Sequence, residues 1–399
     1  MSTVGYLATS VPIRIASAGS VVAIPILSVH ELGDVAIGGA LVAASLAPAV
    51  LAAPIVGVAL DRSRHPRRLI VIAAVVTFIG FAAVSLLGIL PLPLIAVLLV
   101  ASGLAAPFMF GGLSSFVTDA IPGERRAYAF DALSYNIASV AGPGVVALAG
   151  ITGIGRLGML LMAASALVGA LGTIGLVAPA RPATDATFVG TIVAGLRHLT
   201  FHRPLVVVTT SGTLNAVGMG ALPIAAVALA IERTGSASDG ALIVTAFALG
   251  GLVGALTATI RPSTRFTPQL VMGTGLAAIG VFTLVAIPDF GIVWTIAAIG
   301  LSGVFTASSS AAMLLLRKQQ SPLEVRSQVF TIGSGLRAMA SGAGAALAGL
   351  LAGMPAGILI AGIGVVWLLS AGLMLAYPRG AQPLPEADGP PEAELSAPA

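Results

Sequence analysis

The sequence predicts an all-α membrane protein with twelve transmembrane helices in two parallel six-helix repeats. Three observations predict this fold class: 57% of the residues are hydrophobic and only 9% charged, long apolar runs alternate with short polar clusters, and a sequence repeat occurs at an offset of 200 residues. A helix needs about 20 apolar residues to cross a bilayer. The mean hydropathy of +1.05 therefore indicates that lipid surrounds most of the chain.

Cutting the 399 residues at the polar clusters gives twelve apolar runs, numbered here as spans 1 to 12. Spans 1 to 6 cover about residues 6–29, 35–60, 69–90, 94–118, 132–150 and 156–178. Spans 7 to 12 cover about residues 204–230, 240–260, 269–287, 290–315, 331–353 and 355–377. No basic segment precedes the first run, so it predicts a membrane helix and not a signal peptide.

The basic residues predict the orientation, because cytoplasmic loops carry an excess of Lys and Arg. Two odd-numbered gaps carry Arg156 and Arg233, and Arg14 lies in span 1. The other sixteen are assigned to the even-numbered gaps and the C-terminal end: Arg62, Arg64, Arg67, Arg68, Arg125, Arg126, Arg181, Arg197, Arg203, Arg261, Arg265, Arg317, Lys318, Arg326, Arg337 and Arg379. We therefore expect a multi-pass protein of the inner (cytoplasmic) membrane with both termini in the cytoplasm.

The longest polar interruption divides the spans six and six. We predict an N-terminal six-helix bundle over residues 1–178, a cytoplasmic linker over 179–203, a C-terminal six-helix bundle over 204–377 and a disordered cytoplasmic tail over 378–399. Within the linker, Phe188, Ile192, Leu196 and Leu199 recur at helical spacing, which predicts a short surface helix.

The internal repeat supports this division. Four residues recur in register 200 positions later, and a glycine follows them in both copies. The matches are Pro122, Glu124, Arg126, Phe130 and Gly142 with Pro322, Glu324, Arg326, Phe330 and Gly342. Both copies begin on the same side of the membrane, so the repeats are predicted to be parallel and related by an axis along the membrane normal.

The loop between spans 2 and 3 carries a motif typical of one transporter family. Gly57 is followed by Asp61 and Arg62 and then by further basic residues that include Arg68. This segment resembles the cytoplasmic signature of the major facilitator superfamily (MFS), although the inner Gly of that signature is missing. The resemblance implies the MFS fold, in which two six-helix halves rock around a central site and this loop latches them together.

The resemblance also implies partners for the latch. Asp61 would cap the N-terminus of span 11, where the helix dipole favours an anion, and Arg62 or a following Arg such as Arg68 would pair with Asp119. Alternatively, the Arg cluster only fixes the topology. The equivalent Gly254 in the second half is followed by no acid, so any latch is one-sided.

Gly142 and Pro143 in span 5 resemble the Gly-Pro motif of the family's exporters. Proline removes a helical hydrogen bond and glycine admits a close neighbour, so the motif predicts a hinge or seal, or simply close helix packing. Through this resemblance the motif favours export.

Four polar residues are candidates for substrate contact. Arg14 is the only basic residue predicted deep in a span, where a charge needs water, an anion or a partner. The alternative is that Arg14 lies near the cytoplasmic end and extends to the interface. Tyr135, Asn136 and Asn215 would orient a mostly apolar ligand, or else form hydrogen bonds between helices.

Proton coupling has few candidate residues. Eleven acids precede the tail and none is predicted in mid-membrane, so Asp34 and Asp131, at the starts of spans 2 and 5, are the nearest options. The basic residue that many proton antiporters of the family carry in span 4 is also missing, since residues 98–116 hold no charge.

Other activities lack the residues they require. The chain has no Cys, its four His show no metal-ligand spacing, and it has neither a phosphate-binding Gly-rich loop nor a catalytic arrangement. The basic residues are scattered over many loops, which argues against nucleic-acid binding. We expect no enzyme activity, no cofactor and no metal.

The predicted function is secondary active transport of a small, largely apolar compound, by efflux of a drug or secondary metabolite through alternating access. The expected partners are this solute, the lipid bilayer and, as a candidate coupling ion, the proton, and we expect a monomer. The alternatives are an MFS uptake transporter for a nutrient or metabolite, and a non-transporting receptor that has kept the fold.

Overall fold

The computed structural model describes residues 3–122, 124–175, 188–260 and 266–382, and the regular elements in these ranges are helices. They are α1 Thr3–Leu32, α2 Val35–Leu46, α3 Ala49–Arg62, α4 Pro66–Ser85, α5 Leu92–Pro107, α6 Leu113–Ser115, α7 Val117–Ala120, α8 Glu124–Ile151, α9 Leu157–Ile174, α10 Phe188–Phe201, α11 Arg203–Thr234, α12 Asp239–Ile260, α13 Pro268–Val285, α14 Ile292–Val304, α15 Thr306–Gln319, α16 Leu323–Leu350 and α17 Ala356–Leu373.

Eleven helical segments in the described ranges are long and apolar enough to cross a membrane. The one long helix of the bundle missing from this set is α16, which has 28 residues but carries polar side chains that include Arg326 and Arg337. Its rise of about 42 Å is sufficient to cross a bilayer. The exact layout of twelve spans in two repeats stays a prediction.

Three predicted spans are interrupted. Span 2 divides into α2 and α3 at Pro48, which has no backbone N–H to continue the helix. Span 4 contains a π-helical turn, Phe108–Gly112, directly after Pro107, and span 10 divides into α14 and α15 at Phe305. The π-helical turn is relevant to function, because such turns frequently occur at functional sites.

The two halves have corresponding internal contacts. In the first half α1 packs against α8 and α9, and in the second half α11 packs against α16 and α17. The helices that carry the sequence repeat, α8 and α16, are both 28 residues long. Contacts between the halves run along α2 and α3 against α16, and along α8 against α12.

Glycines allow the halves to approach closely. A methyl group on Gly39 of α2 would lie 2.6 Å from the carbonyl oxygen of Ala345 in α16, and one on Gly342 would lie 2.9 Å from the backbone nitrogen of Ala47. A side chain at either position would push the two helices apart. Small residues therefore define this seam, as is usual where membrane helices pack.

Two basic residues are not where the sequence placed them. Arg337 was counted with the gaps although it falls within the predicted span 11 (331–353), and it lies well inside α16. Arg317 also belongs to a helix, α15, and is only 1% exposed. The prediction that Arg14 is the only deeply placed basic residue is therefore wrong.

The two arginines of the odd-numbered gaps have structural partners. Arg156 donates hydrogen bonds to the carbonyl oxygens of Ser85 and Leu87, where α4 ends, and pairs with Glu31. Arg233 binds the carbonyl oxygens of residues 286–288 after α13. Both arginines, Arg156 at the start of α9 and Arg233 in the last turn of α11, thus bind the end of a neighbouring helix hairpin.

The predicted linker region contains α10, and Leu199 of this helix is buried in a small apolar cluster with Leu205, Val329 and Ile332. The remainder of the predicted linker, residues 179–187, and most of the predicted tail lie outside the described residues. Their predicted conformation is not tested, and neither is the cytoplasmic position of the two termini.

Candidate functional site

A buried ion pair joins the first and fifth spans. Arg14 of α1 lies with its Nη2 atom 2.6 Å from Oδ1 of Asp131 in α8. Arg14 is 2% exposed and Asp131 is 8% exposed, so the pair is largely shielded from solvent. A buried charge is costly on its own, and each member of the pair compensates the other.

The surrounding helices complete the coordination of Arg14. Its Nη1 atom donates to the backbone oxygen of Asp131 at 2.9 Å and to the hydroxyl of Ser134. Its Nη2 atom donates to Ser114 at 2.9 Å, in the segment that follows the π-helical turn. Groups on α8 and α6 thus hold the guanidinium group of α1. Of its three nitrogen atoms, only Nε has no hydrogen-bond partner in the described part of the chain.

Tyr6 completes the buried group from two turns earlier on α1. Its hydroxyl donates a hydrogen bond of 2.5 Å to the same Oδ1 atom of Asp131 that Arg14 contacts, and the residue is fully buried. Asp131 is therefore held as a carboxylate acceptor by a phenol and a guanidinium. Protonation of Asp131 would remove the negative charge that pairs with Arg14.

An aromatic residue covers the open face of Arg14. The guanidinium carbon lies 3.5 Å from the centroid of the Tyr135 ring, in a cation–π contact, and Tyr135 stacks on Phe110 with centroids 6.2 Å apart. Tyr135 is 40% exposed, so this ring separates the buried charges from open space.

A cavity of about 320 Å³ begins at this ring. Arg14, Phe110 and Tyr135 form part of its wall, and most of the remaining lining is apolar or hydroxylic and comes from α1, α2, α4, α5 and α8. This size and composition match a small-molecule site, in which an apolar wall surrounds a few polar groups. The cavity lies within the first half, beside the ion pair.

The structure joins some of the predicted site residues and separates others. Arg14 and Tyr135 lie together on the cavity, and the alternative that Arg14 extends to the interface is wrong because Asp131 holds it inside. Asn136 is half-buried and does not line this cavity. Asn215 lies in the other half, where it lines a small cavity of about 40 Å³ and its buried Oδ1 has no hydrogen-bond partner among the described residues.

The two coupling candidates have different environments. Asp34 is the N-cap of α2, where its carboxylate accepts a hydrogen bond of 2.7 Å from the backbone N–H of Ala36. Asp131 is the second residue of an apolar candidate span, Phe130–Ile151, so it lies at the start of this span. The predicted span began one residue too late, because α8 already starts at Glu124.

The Gly-Pro motif packs against the helix that carries Arg14. A methyl group on Gly142 would lie 2.6 Å from the backbone nitrogen of Gly19 in α1, and α8 remains continuous through Pro143. Close helix packing explains the glycine, and the hinge stays a prediction.

The latch also stays a prediction. Gly57, Asp61 and Arg62 lie in α3 and Asp119 lies in α7, but these side chains are outside the described part of the structure. Arg68 is exposed in the first turn of α4.

Sequence reasoning missed Tyr6, Ser114 and Ser134 as members of the buried group. Ser134 and Tyr135 follow Asp131 by three and four residues, so one face of α8 presents all three, and this spacing was a usable signal. The pairing of α1 with α8 was not predictable from either helix alone. Among the described residues, no group of three or more His, Asp or Glu side chains is placed to hold a metal ion.

No family model matches the sequence, and no curated protein matches it. Solved structures do match. The chain is similar to a POT family transporter in complex with 5-aminolevulinic acid, with 14% identity, a TM-score of 0.73 and coverage of 94% of this chain and 95% of that one. It is similar to an auto-inhibited POT family peptide transporter, with 13% identity, a TM-score of 0.74 and coverage of 97% and 98%.

A peptide transporter POT in complex with sulfate also matches, with 16% identity, a TM-score of 0.72 and coverage of 94% of this chain and 93% of that one. POT family transporters have the MFS fold, so the predicted MFS fold is confirmed. At these identities the similarity concerns the fold. All three matched structures are of transporters.

Proposed function

We propose that this protein is a secondary active transporter that moves a small solute across the cytoplasmic membrane by alternating access. In this proposal α16 is span 11 and completes a set of twelve spans. The observation that carries the proposal is the Arg14–Asp131 pair, buried inside the membrane segments and adjoining a cavity. Ionisable residues inside membrane spans are costly and typically belong to solute or ion pathways. The similarity to POT family transporters supports the same class of function.

Asp131 is the proposed proton acceptor. A proton on its carboxyl group would remove the negative charge that holds Arg14, and the guanidinium would then be an unpaired cation in an apolar interior. The conformation that gives Arg14 access to cavity water or to an anionic solute would become favourable. Proton binding and solute binding would thus act on the same bistable contact between α1 and α8.

The substrate class has two candidates. The sequence favours a small, largely apolar drug or metabolite, and the mainly apolar lining of the cavity supports it. A peptide-like or zwitterionic solute is the second candidate, supported by the peptide transporters among the similar structures and by the cationic Arg14 on the wall. For the direction of transport, the Gly-Pro motif favours efflux. The similarity to peptide transporters does not support efflux.

Flux in proteoliposomes tests the proposal. We expect wild-type protein to move at least one solute that binds it, faster with an imposed pH gradient than without. Asp131→Asn should abolish the gradient-driven part, whereas exchange of labelled for unlabelled solute should persist. Asp289→Asn makes the same chemical change at an exposed acid and should behave as wild type.

Two results would contradict the proposal. Equal gradient-driven flux in Asp131→Asn would remove this residue from coupling. A protein that binds solutes but moves none of them, with or without a gradient, would instead be a receptor with a transporter fold.

A further inference from the structure

Two more buried arginines lie together in the second half. Arg317 occupies the last turn of α15 and is 1% exposed, and Arg337 lies inside α16. The two charges are close enough to repel each other electrostatically. Gly333, one helical turn before Arg337, marks the point of approach, because a methyl group there would lie 2.8 Å from Nη1 of Arg317.

Neither guanidinium group has an acidic partner in the described part of the chain. The Nε and Nη2 atoms of Arg317 and the Nε atom of Arg337 are buried and make no hydrogen bond there. Planar guanidinium groups present several N–H donors in a fixed geometry that fits the oxygens of a carboxylate or phosphate. Three buried donor atoms therefore lack a hydrogen-bond partner in the described part of the chain.

A small cavity lies close to Arg317, although Arg317 does not line it. Gly212 of α11 lies beside Nη2, since a methyl group on this glycine would be 3.6 Å from that atom. Gly212 and Met313 also line the small cavity that contains Asn215. The unpaired Oδ1 of Asn215 is an acceptor, so this cavity offers a place for an N–H or O–H group of the same ligand.

A helix C-terminus does not account for these arginines. Its dipole stabilises a nearby cation by at most about 2 kcal/mol, and Arg337 lies far from the end of α16. Burying an unpaired cation costs several kcal/mol, and a second cation nearby adds to that cost. An anion between the two arginines would remove the penalty and use the free donors.

We propose that Arg317 and Arg337 form an anion-binding site that takes the carboxylate, phosphate or sulfate group of a small solute. The site is separate from the Arg14–Asp131 pair and lies between α11, α15 and α16. Arg337 is partly buried and its Nε atom is buried, whereas the whole of Arg317 is buried. The assignment of the anion to a transported solute rests on the proposed transport function.

Thermal unfolding of the purified full-length protein in phosphatidylcholine nanodiscs tests the site. Sodium sulfate and sodium acetate are titrated against sodium chloride at equal ionic strength. We expect a saturable rise in the Tm of wild type with sulfate or acetate. Arg337→Gln should raise the half-saturating concentration at least about tenfold, because it removes a charged ligand from a buried contact.

Two further variants make the result specific. Arg337→Lys retains the charge and should keep part of the rise in Tm with sulfate or acetate. This variant controls for loss of folding at position 337. Arg379→Gln removes an exposed positive charge and should titrate as wild type. A wild-type Tm that responds to sulfate and acetate no more than to chloride would overturn the proposal, as would an unchanged titration in Arg337→Gln.

Nanodiscs that contain phosphatidylglycerol distinguish the sources of the anion. We expect the sulfate or acetate titration to be the same in these discs. A loss of the effect there would mean that a lipid headgroup occupies the site, and would overturn the assignment to a solute. The binding measurement does not depend on flux. Intact flux with no anion binding would contradict the anion site alone. Anion binding without flux would contradict only the proposed transport function.

Discussion

The two halves of the bundle treat buried arginine in opposite ways. In the first half, Arg14 is neutralised by Asp131 and donates to two serines, and Tyr6 donates to the Asp131 carboxylate. In the second half, Arg317 and Arg337 lie together with no acid in the described part of the chain. At the offset of 200 residues that relates the halves, Thr331 takes the place of Asp131.

The distribution of unpaired polar atoms follows the same division. Of the ten buried side-chain N and O atoms that lack a hydrogen bond in the described residues, eight lie in the second half. Buried polar groups are normally satisfied, so this concentration indicates groups that await a ligand or water. Most buried polar atoms without a partner in the described residues thus belong to the second half.

This difference suggests a division of labour within one repeated frame. Under the proposals above, the first half would bind the proton at Asp131, and the second half would bind an anionic group of the solute. Duplicated halves that retain the same helix packing can diverge in this way, because the packing depends on glycine contacts and the chemistry depends on a few polar positions.

The largest expected effect is on stability, and its sign should differ between the halves. Arg14→Gln leaves Asp131 buried without its cation and should lower the free energy of unfolding by about 3 kcal/mol or more. Arg317→Gln removes an unpaired cation and should leave the anion-free protein equally or more stable. Thermal unfolding in chloride, without other anions, measures both. Similar destabilisation by the two substitutions would contradict the difference proposed between the two halves.

Removing both members of the pair should cost less than the sum of the single changes. We expect the double variant Arg14→Gln, Asp131→Asn to recover about 2 kcal/mol relative to additive single effects, because no charge is left unpaired. The measurement is a double-mutant cycle of unfolding in detergent. Strict additivity would show that the ion pair contributes no coupling.

The fold was more predictable from the sequence than the site. Apolar runs define the spans because hydrocarbon demands long apolar helices, and the repeat of Pro122 and Glu124 at Pro322 and Glu324 indicated corresponding helices. Helix ends were less predictable: α8 and α16 start within polar segments, eight residues before the predicted spans, so Asp131 fell outside span 5. The buried group joins residues 125 and 117 positions apart, and no local pattern encodes such a contact.

An acid introduced beside Arg317 should make the second half resemble the first. Gly333→Asp places a carboxylate next to Nη1, and the neighbouring atom is the end of a flexible side chain that can shift. We expect a higher Tm without added anions and loss of the sulfate effect, since the new carboxylate occupies the donors. Gly333→Ala adds bulk without charge and should retain the sulfate effect. If the sulfate effect persisted in Gly333→Asp, the N–H donors of Arg317 would not be the anion-binding groups.

The smallest effect is expected at Tyr6, which contributes one hydrogen bond to Asp131 without carrying charge. Tyr6→Phe should lower the free energy of unfolding by about 2 kcal/mol, as is typical for a bond to a charged group, and should leave the Arg14–Asp131 pair intact. Because the carboxylate loses one of the donors that hold it, the dependence of flux on the imposed pH gradient should change. A profile of flux against the size of the gradient measures this change, and Tyr377→Phe, at a tyrosine after the last helical turn, is the matched control. An unchanged profile would leave Tyr6 as a packing residue and restrict the proton-binding unit to Asp131 and Arg14.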